Sequence, residues 1–576
     1  MNVADDKDVP SRHSSETNIP DLEKGEMRTG REEDSIEDNV SLLHPILESE
    51  VFYWVCSDRS TYGWSLNALR DSAGNRDELG ADLEKHLSRK STKKDQLPPE
   101  IYPVSDLDNN LVGWDSQDDP ANPRNFPDAR KWTLLGLVAA ITFLSPLASS
   151  IFAPGIPFVN AAFHNTSQLL GSFAVSVYVL GFAVGPLFLS PLSEIYGRAI
   201  VLNCSNVVFC AFTLGCALAP NLSGLIAMRF FAGLGGSACL TIGTGVIADM
   251  FVPAQRGKAV AMYSMGILFG PILGPILGGF IAQRAGWRWD MWVVLILGCL
   301  LTIGLIIFNR ETYPAVLLNR KTERLRKELN RPELQNIITY DKDASSTDPL
   351  SILKHGIIRP LKMLTRSPIV LLCSLYMSFL FGLLFLLFTT ITPVFIRTYG
   401  WSPEITGLAY LGIGIGNFLG IGFVAKTSDA TIIRLAKKNK GVYEPEMRLP
   451  MCVFFGLLIP ISFFWYGWTA HYKVHWIVPI IALVPFGFGL MGIFAPLQTY
   501  MIDCFPRYAA SAIAGMTALR CLFGAVLPLA GPSMYETLGL GWGNSMLGFL
   551  AVAFIPVPAL LFKYGKVIRE RWPIQL

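Results

Sequence analysis

Arg229 stands inside a long apolar run, in Arg229-Phe230-Phe231-Ala232-Gly233-Leu234-Gly235-Gly236. A guanidinium in lipid is costly and is normally kept for a function or a specific partner. Here it can orient a substrate acceptor or repel a proton from a nearby carboxylate. The plainer role is a strut bonded to helix carbonyls. Arg520 is a second deep arginine. A separate charged cluster lies at helix ends: Glu194, Gly197 and Arg198 in Ser193-Glu194-Ile195-Tyr196-Gly197-Arg198, then Asp249, Arg256 and Lys258. Glu194 and Arg198 fit an ion-pair latch between helices, with Asp249 and Arg256 in reach. A bridge made in one conformation and broken in another biases the two only by its differential energy. Charges at helix ends also anchor a chain in the inner leaflet; both roles are compatible.

Other chemistry is poorly supported. Gly257-Lys258 has Val252 where a phosphate-binding loop needs its first Gly, and neither GxSxG nor HExxH occurs. The ten cysteines form no CxxC pair, and most sit in apolar runs as packing residues. No cofactor, metal or enzymatic activity is therefore expected. A net charge of +3 gives no footprint for nucleic acid.

The elements that must hold these residues are membrane helices. The 576 residues are 51% hydrophobic and 16% charged, against roughly 25% charged in soluble domains. A bilayer core about 30 Å thick needs roughly 20 apolar residues per helix. Twelve segments meet that need, near 132–154, 169–192, 200–219, 222–247, 259–282, 291–308, 368–394, 405–425, 450–468, 476–498, 508–531 and 544–563. Residues 1–130 precede them as a polar tail of disordered composition, with one aromatic patch at 51–55. Met1–Pro10 has no apolar core for a cleavable signal, so the first span is the expected targeting signal. Residues 131–309 and 367–576 are expected to form two six-helix bundles joined by a basic loop, 310–366. Lys and Arg crowd that loop, the loop after the eighth span and the C-terminal end. The positive-inside tendency then puts this loop and both termini in the cytosol. Asn165 and Asn221, each in an N-x-Ser sequon, fall outside as weak glycosylation candidates.

The halves look duplicated. Asp249-Met250-Phe251, Met262 and Leu268-Phe269-Gly270 recur at the same separations as Asp503-Cys504-Phe505, Met516 and Leu522-Phe523-Gly524. Parallel repeats with a substrate site between them near the midplane are a recurrent transporter design. Span five carries Gly266, Gly270, Gly274 and Gly278 at i, i+4 spacing, with Pro271, Pro275 and Gly279. That face lets a neighbouring backbone approach closely, and the prolines bend the helix. It serves either as a pliable seal between halves or as ordinary tight packing. Spans one, two, seven, eight and ten hold no mid-span Asp or Glu. Tyr178, Tyr376, Phe381, Phe385, Tyr410 and Phe494 instead suit flat apolar ligands, although several could face lipid.

These motifs resemble the major facilitator superfamily, and within it the fungal twelve-spanner drug:proton antiporters. The resemblance covers about 120–570. Gly185-Pro186-Leu187-Phe188-Leu189-Ser190-Pro191-Leu192-Ser193-Glu194-Ile195-Tyr196-Gly197-Arg198 is similar to the loop motif after the second span. Arg229 with Gly233 and Gly235 resembles the fourth-span motif, and Gly270-Pro271, Gly274-Pro275 and Gly278-Gly279 the fifth-span antiporter motif. Asp118-Asp119-Pro120, Glu311-Thr312-Tyr313-Pro314 and Pro445-Glu446-Met447-Arg448-Leu449-Pro450 are similar to the fungal branch. Ser190, Ile195 and Ala232 depart from the usual Gly, basic residue and Gln. The resemblance implies an all-α major facilitator fold of two pseudo-symmetric six-helix bundles. It also implies proton-coupled efflux of drugs or toxic metabolites across the cell membrane by alternating access, with Arg229 in proton coupling. Its partners would be a small molecule, protons and the lipid bilayer; the oligomeric state is open, with a monomer as the default. A nutrient permease and a polyamine exporter are the alternatives. Arg310-Glu311-Thr312 stands where sugar porters show Pro-Glu-Ser, and the carboxylate-poor spans place polyamines last.

Overall fold

Apolar runs in lipid must satisfy their own backbone groups, and helices do this within one segment. The computed structural model describes residues 102–340, 349–439, 444–505 and 508–572, and within them the side chain of Arg256 is not among those described. The patch at 51–55 also lies outside the described residues.

Ten helices cross first: α1 (Asp128–Ser150), α2 (Gln168–Ile195), α3 (Arg198–Ala217), α4 (Leu222–Met250), α5 (Pro253–Arg284), α6 (Arg288–Phe308), α7 (Pro368–Tyr399), α8 (Pro403–Lys438), α9 (Leu449–His471) and α10 (Ile477–Cys504). The last apolar stretch, Ala509–Arg571, has 63 residues. As one helix it would run about 95 Å, three times the hydrocarbon thickness. Gly539 breaks it, at φ 70° and ψ 175°, where a side chain would be strained. Two crossings result, α11 (509–538) and α12 (540–571), so twelve helices span among the described residues. The outer faces are apolar: Leu300 is 62% and Ile307 66% exposed on α6. A surface of that kind belongs in lipid rather than water.

α1–α6 and α7–α12 each pack as a bundle. Ser145 of α1 donates to Gly236 O of α4 at 2.8 Å and meets Tyr178 Oη of α2 at 3.2 Å. In the second bundle Trp468 of α9 donates to Ser545 of α12 at 3.1 Å. Among the described residues, three polar contacts join the bundles directly: Ser176 Oγ to Ala525 O at 2.7 Å, Gln168 to Glu536 at 2.5 Å, and Arg284 to Glu404 at 3.2 Å. All three lie in the half of the molecule away from Asp249 and Asp503. At the opposite end a helix over Pro349–Arg366 lies across both bundles, with Gly356 against Pro191 of α2 and Pro360 O facing Gly515 of α11.

The tail differs from its sequence reading over 102–127. Leu111–Val112 pairs in parallel with Gln335–Asn336 of the central connection. Val112 and Trp114 are buried there. Lys321 donates to Gly113 O at 2.8 Å and pairs with Asp115 at 2.6 Å, while Arg331 donates to Asn110 at 2.7 Å. Composition marked this stretch as polar; its order comes from contacts about 200 residues away in sequence. The central connection is likewise partly helical, over Pro314–Glu328 and Pro349–Arg366.

Candidate functional site

Arg229 is 1% exposed and reaches across the first bundle. Gly233, one turn on, lets α4 touch the Tyr178 carbonyl of α2, which brings the guanidinium between α1 and α2. It donates to Ser149 O at 3.2 Å and Val175 O at 3.5 Å. Ser149 lies in the last turn of α1, where carbonyls lack helical partners and the dipole is negative. Phe152 and Tyr178 offer ring faces at 4.5 and 5.4 Å. The strut role is therefore real. It is also incomplete, because Arg229 Nε is buried with no hydrogen-bond partner among the described residues.

Asp290, in the first turn of α6, is wholly buried and neither carboxylate oxygen has a hydrogen-bond partner among the described residues. It lies close enough for its charge to act on Arg229, yet the two make no ion pair. Met291, its neighbour, puts its sulfur 4.0 Å from the Arg229 guanidinium. Trp287 packs edge-on to Phe152 and Phe163, while Arg288 turns away to Ala219 O at 3.1 Å. Sequence reasoning missed Asp290 because it began the sixth span at 291. An Asp before an apolar run reads as an ordinary acid on a helix dipole, and only the helix start at Arg288 puts it inside.

At the charged helix ends Arg198 pairs with a different acid from the one expected. Glu194 is exposed and does not pair with Arg198. Gly197, at φ 105°, reverses the chain so that Arg198 opens α3 facing the end of α4. Arg198 pairs with Asp249 at 3.5 Å, donates to Ser193 Oγ at 2.6 Å and lies 4.7 Å from the Tyr313 ring. Glu311, of the Glu311-Thr312-Tyr313-Pro314 segment, accepts from the Arg198 and Ala199 amides at 2.8 and 3.3 Å, capping α3. The arrangement recurs in the second bundle: Arg448, at the start of α9, pairs with Asp503 at 2.7 Å. The duplication therefore extends to the basic partner, which residue-for-residue matching overlooked. Sequence separations of 51 and 55 residues (249 − 198 and 503 − 448) keep it from aligning in register.

The four-glycine face of α5 packs against α1 of its own bundle. A methyl group at Gly266 would lie 2.8 Å from Ala139 O, at Gly270 2.7 Å from Phe143 O, and at Gly274 2.9 Å from Leu147 O; at Gly278 it would collide with Ile151 O. The contact between bundles is made one residue round the helix. Gly279 faces Pro403 O and Glu404 O, and Gly407 of α8 abuts Pro275 O. Pro271 and Pro275 lie inside one continuous helix. Gly278→Ala is expected to lower stability by about 1–3 kcal/mol through overpacking, read as a lower melting temperature in detergent micelles. An unchanged melting temperature would mean that α1 and α5 are not this close.

The expected aromatic residues separate. Tyr178 is spent on Ser145 and Arg229, and Tyr410, 1% exposed, donates to Phe388 O at 2.8 Å. Tyr376 stacks on Phe554. Phe385 is buried between Phe381 and Phe388 at 5.2 and 5.4 Å. Phe381 and Phe494 stay half-buried, with the Arg520 guanidinium 5.1 Å from each ring.

Residues 138–528 match the model of the Major Facilitator Superfamily. The chain belongs to this superfamily of membrane transporters. Among its relatives, the MFS-type transporter penM of Penicillium rubens is 47% identical over 501 residues, 86% of this chain and 96% of its own. Efflux pump radE of Floropilus chiversii is 45% identical over 464 residues, covering 80% and 85% respectively. A partially occluded inward-open structure of the xylose transporter XylE from E. coli matches with TM-score 0.55 at 18% identity, over 76% of this chain and 98% of that one. That likeness shows the fold alone.

In this major facilitator the departures at Ser190, Ile195 and Ala232 fall on the α2 end and under Arg229, and Ala232 is itself buried. The sequon residues hold local structure. Asn165 donates to Asn160 and Ser167 O at 2.8 and 2.9 Å, and Asn221 caps α4 through Gly224 N at 2.7 Å.

Proposed function

We propose that this chain exports small amphipathic compounds by proton exchange, through alternating access of a site between its two bundles. The observation that carries the reading is the buried, unpaired couple of Arg229 and Asp290. A lone charge in such a place is expensive. The couple therefore has two inexpensive arrangements: a proton on Asp290, or an ionised Asp290 drawn onto Arg229. Moving between them takes up or releases one proton and shifts α6 against α4. The charged group that acts on Asp290 is Arg229, while Tyr178 and Cys216 face Arg229 itself, and no second carboxylate acts on either member of the couple. Arg198–Asp249 and Arg448–Asp503 are the latches such a rocking motion would load and unload, biasing it by their differential energy.

Efflux is supported by the likeness to a relative that is an efflux pump, radE. The excess of Lys and Arg around Arg320, Lys437 and Arg569 supports cytosolic termini, and export from the cell, as proposed, would place the protein in the cell membrane. Cells expressing the protein and preloaded with a lipophilic fluorescent dye should lose it faster than cells lacking it. A protonophore that collapses the pH gradient should abolish that difference. Efflux that persists undiminished without the gradient would rule out exchange.

A further inference from the structure

Arg520 lies 11 residues into α11 (520 − 509), about 16 Å along the helix and hence near the middle of a bilayer core about 30 Å thick. α11 touches α2 of the first bundle through Ala525 and Ser176. The guanidinium is held between the rings of Phe381 on α7 and Phe494 on α10, 5.1 Å from each centroid. Gly524, one turn further on, lets Phe381 and Phe385 close on α11, with a methyl there only 3.1 and 3.4 Å from them.

Ring faces attract the flat of a guanidinium and leave its in-plane N–H donors unused. Among the described residues Arg520 makes no ion pair, its Nε is buried without a hydrogen-bond partner, and the neighbouring Cys521 thiol is the one side chain that hydrogen-bonds to it. Gln498, one turn from Phe494 on the same face of α10, has a buried amide oxygen equally without a partner. The acids of the second bundle whose side chains are described stand at or beyond helix ends: Glu404, Glu444, Glu446, Asp503, Glu536 and Glu570. Nothing described neutralises Arg520 from within the protein. A planar fork of donors between two aromatic surfaces matches a carboxylate attached to an apolar, flat body.

We propose that Arg520, flanked by Phe381 and Phe494, is an anion-selecting substrate site and that the exported compounds are amphipathic organic acids. This rests on the export reading and narrows its substrate class. The fixed positive charge disfavours cationic amphiphiles and polyamines. It also departs from a purely apolar pocket for flat neutral ligands.

The full-length protein in lipid nanodiscs, titrated at equilibrium with dansylglycine, its uncharged methyl ester and the cationic dansyl-ethylenediamine, tests this, with empty nanodiscs as the blank. The acid should bind at least about tenfold more tightly than the ester, the size of one charge-assisted hydrogen bond, and the amine weakest. Arg520→Gln should erase the preference for the acid and leave the ester unchanged, and Arg520→Lys should restore part of it. Acid and ester of equal affinity, including neither binding measurably, would overturn the proposal, as would an Arg520→Gln protein that keeps the preference. If Arg520→Gln does not fold, the wild-type ranking of the three probes decides alone. Equilibrium binding needs no pH gradient, so a failure of proton coupling would leave this result standing.

Discussion

Asp290→Asn is expected to leave a folded protein whose dye efflux is slow and no longer answers to external pH. The substitution keeps the shape of a fully buried side chain that faces Gly155 but removes the carboxyl proton. An amide cannot ionise to be drawn onto Arg229, so the couple has a single arrangement and α6 loses its reason to shift. Wild-type efflux should quicken as the outside is acidified, because more Asp290 is loaded with protons from that side. The variant should give a flat profile, at a rate lower by about a hundredfold if a 2.7 kcal/mol preference between arrangements is lost. Arg229→Ala should be as slow, and it should also loosen α1, whose last-turn carbonyl it holds. The two variants differ in stability: the arginine change should lower the melting temperature and the Asp290 change should not. A pH profile for Asp290→Asn parallel to wild type would remove Asp290 from the proton path.

The second large effect concerns assembly. Arg448 and Asp503 are 4% and 3% exposed, joined at 2.7 Å. Arg448→Ala removes the guanidinium that pairs with a buried carboxylate, and removing one partner of a buried pair costs about 3–5 kcal/mol. That is a large share of the stability of most domains, so the variant should mature poorly and aggregate on extraction. Arg198→Ala should do less. Its pair with Asp249 is longer, at 3.5 Å, and each side chain is about a seventh exposed, at 13% and 14%. Size-exclusion profiles of the two variants, extracted side by side, check the ranking. Equal yields would mean that the shorter, more buried pair contributes no more to assembly than the longer one.

The arithmetic of crossing a bilayer is local, and it was legible in the residues. Lengths of apolar sequence, an internal repeat at Asp249 and Asp503, and arginines stranded at 229 and 520 follow from composition and spacing alone. So does the membrane class, since only helices satisfy their backbone in such runs. Three matters needed the tertiary structure. The partner of Arg198 is Asp249 rather than its near neighbour Glu194, because the positive φ at Gly197 turns the chain. The glycine face of α5 meets α1 rather than the other bundle, and spacing cannot say which neighbour a smooth face receives. Asp290 is buried because α6 starts at Arg288, three residues before its apolar run begins in earnest. Each of these is a contact between segments tens of residues apart. Sequence settles what a helix can present; the packing of other helices settles what it meets.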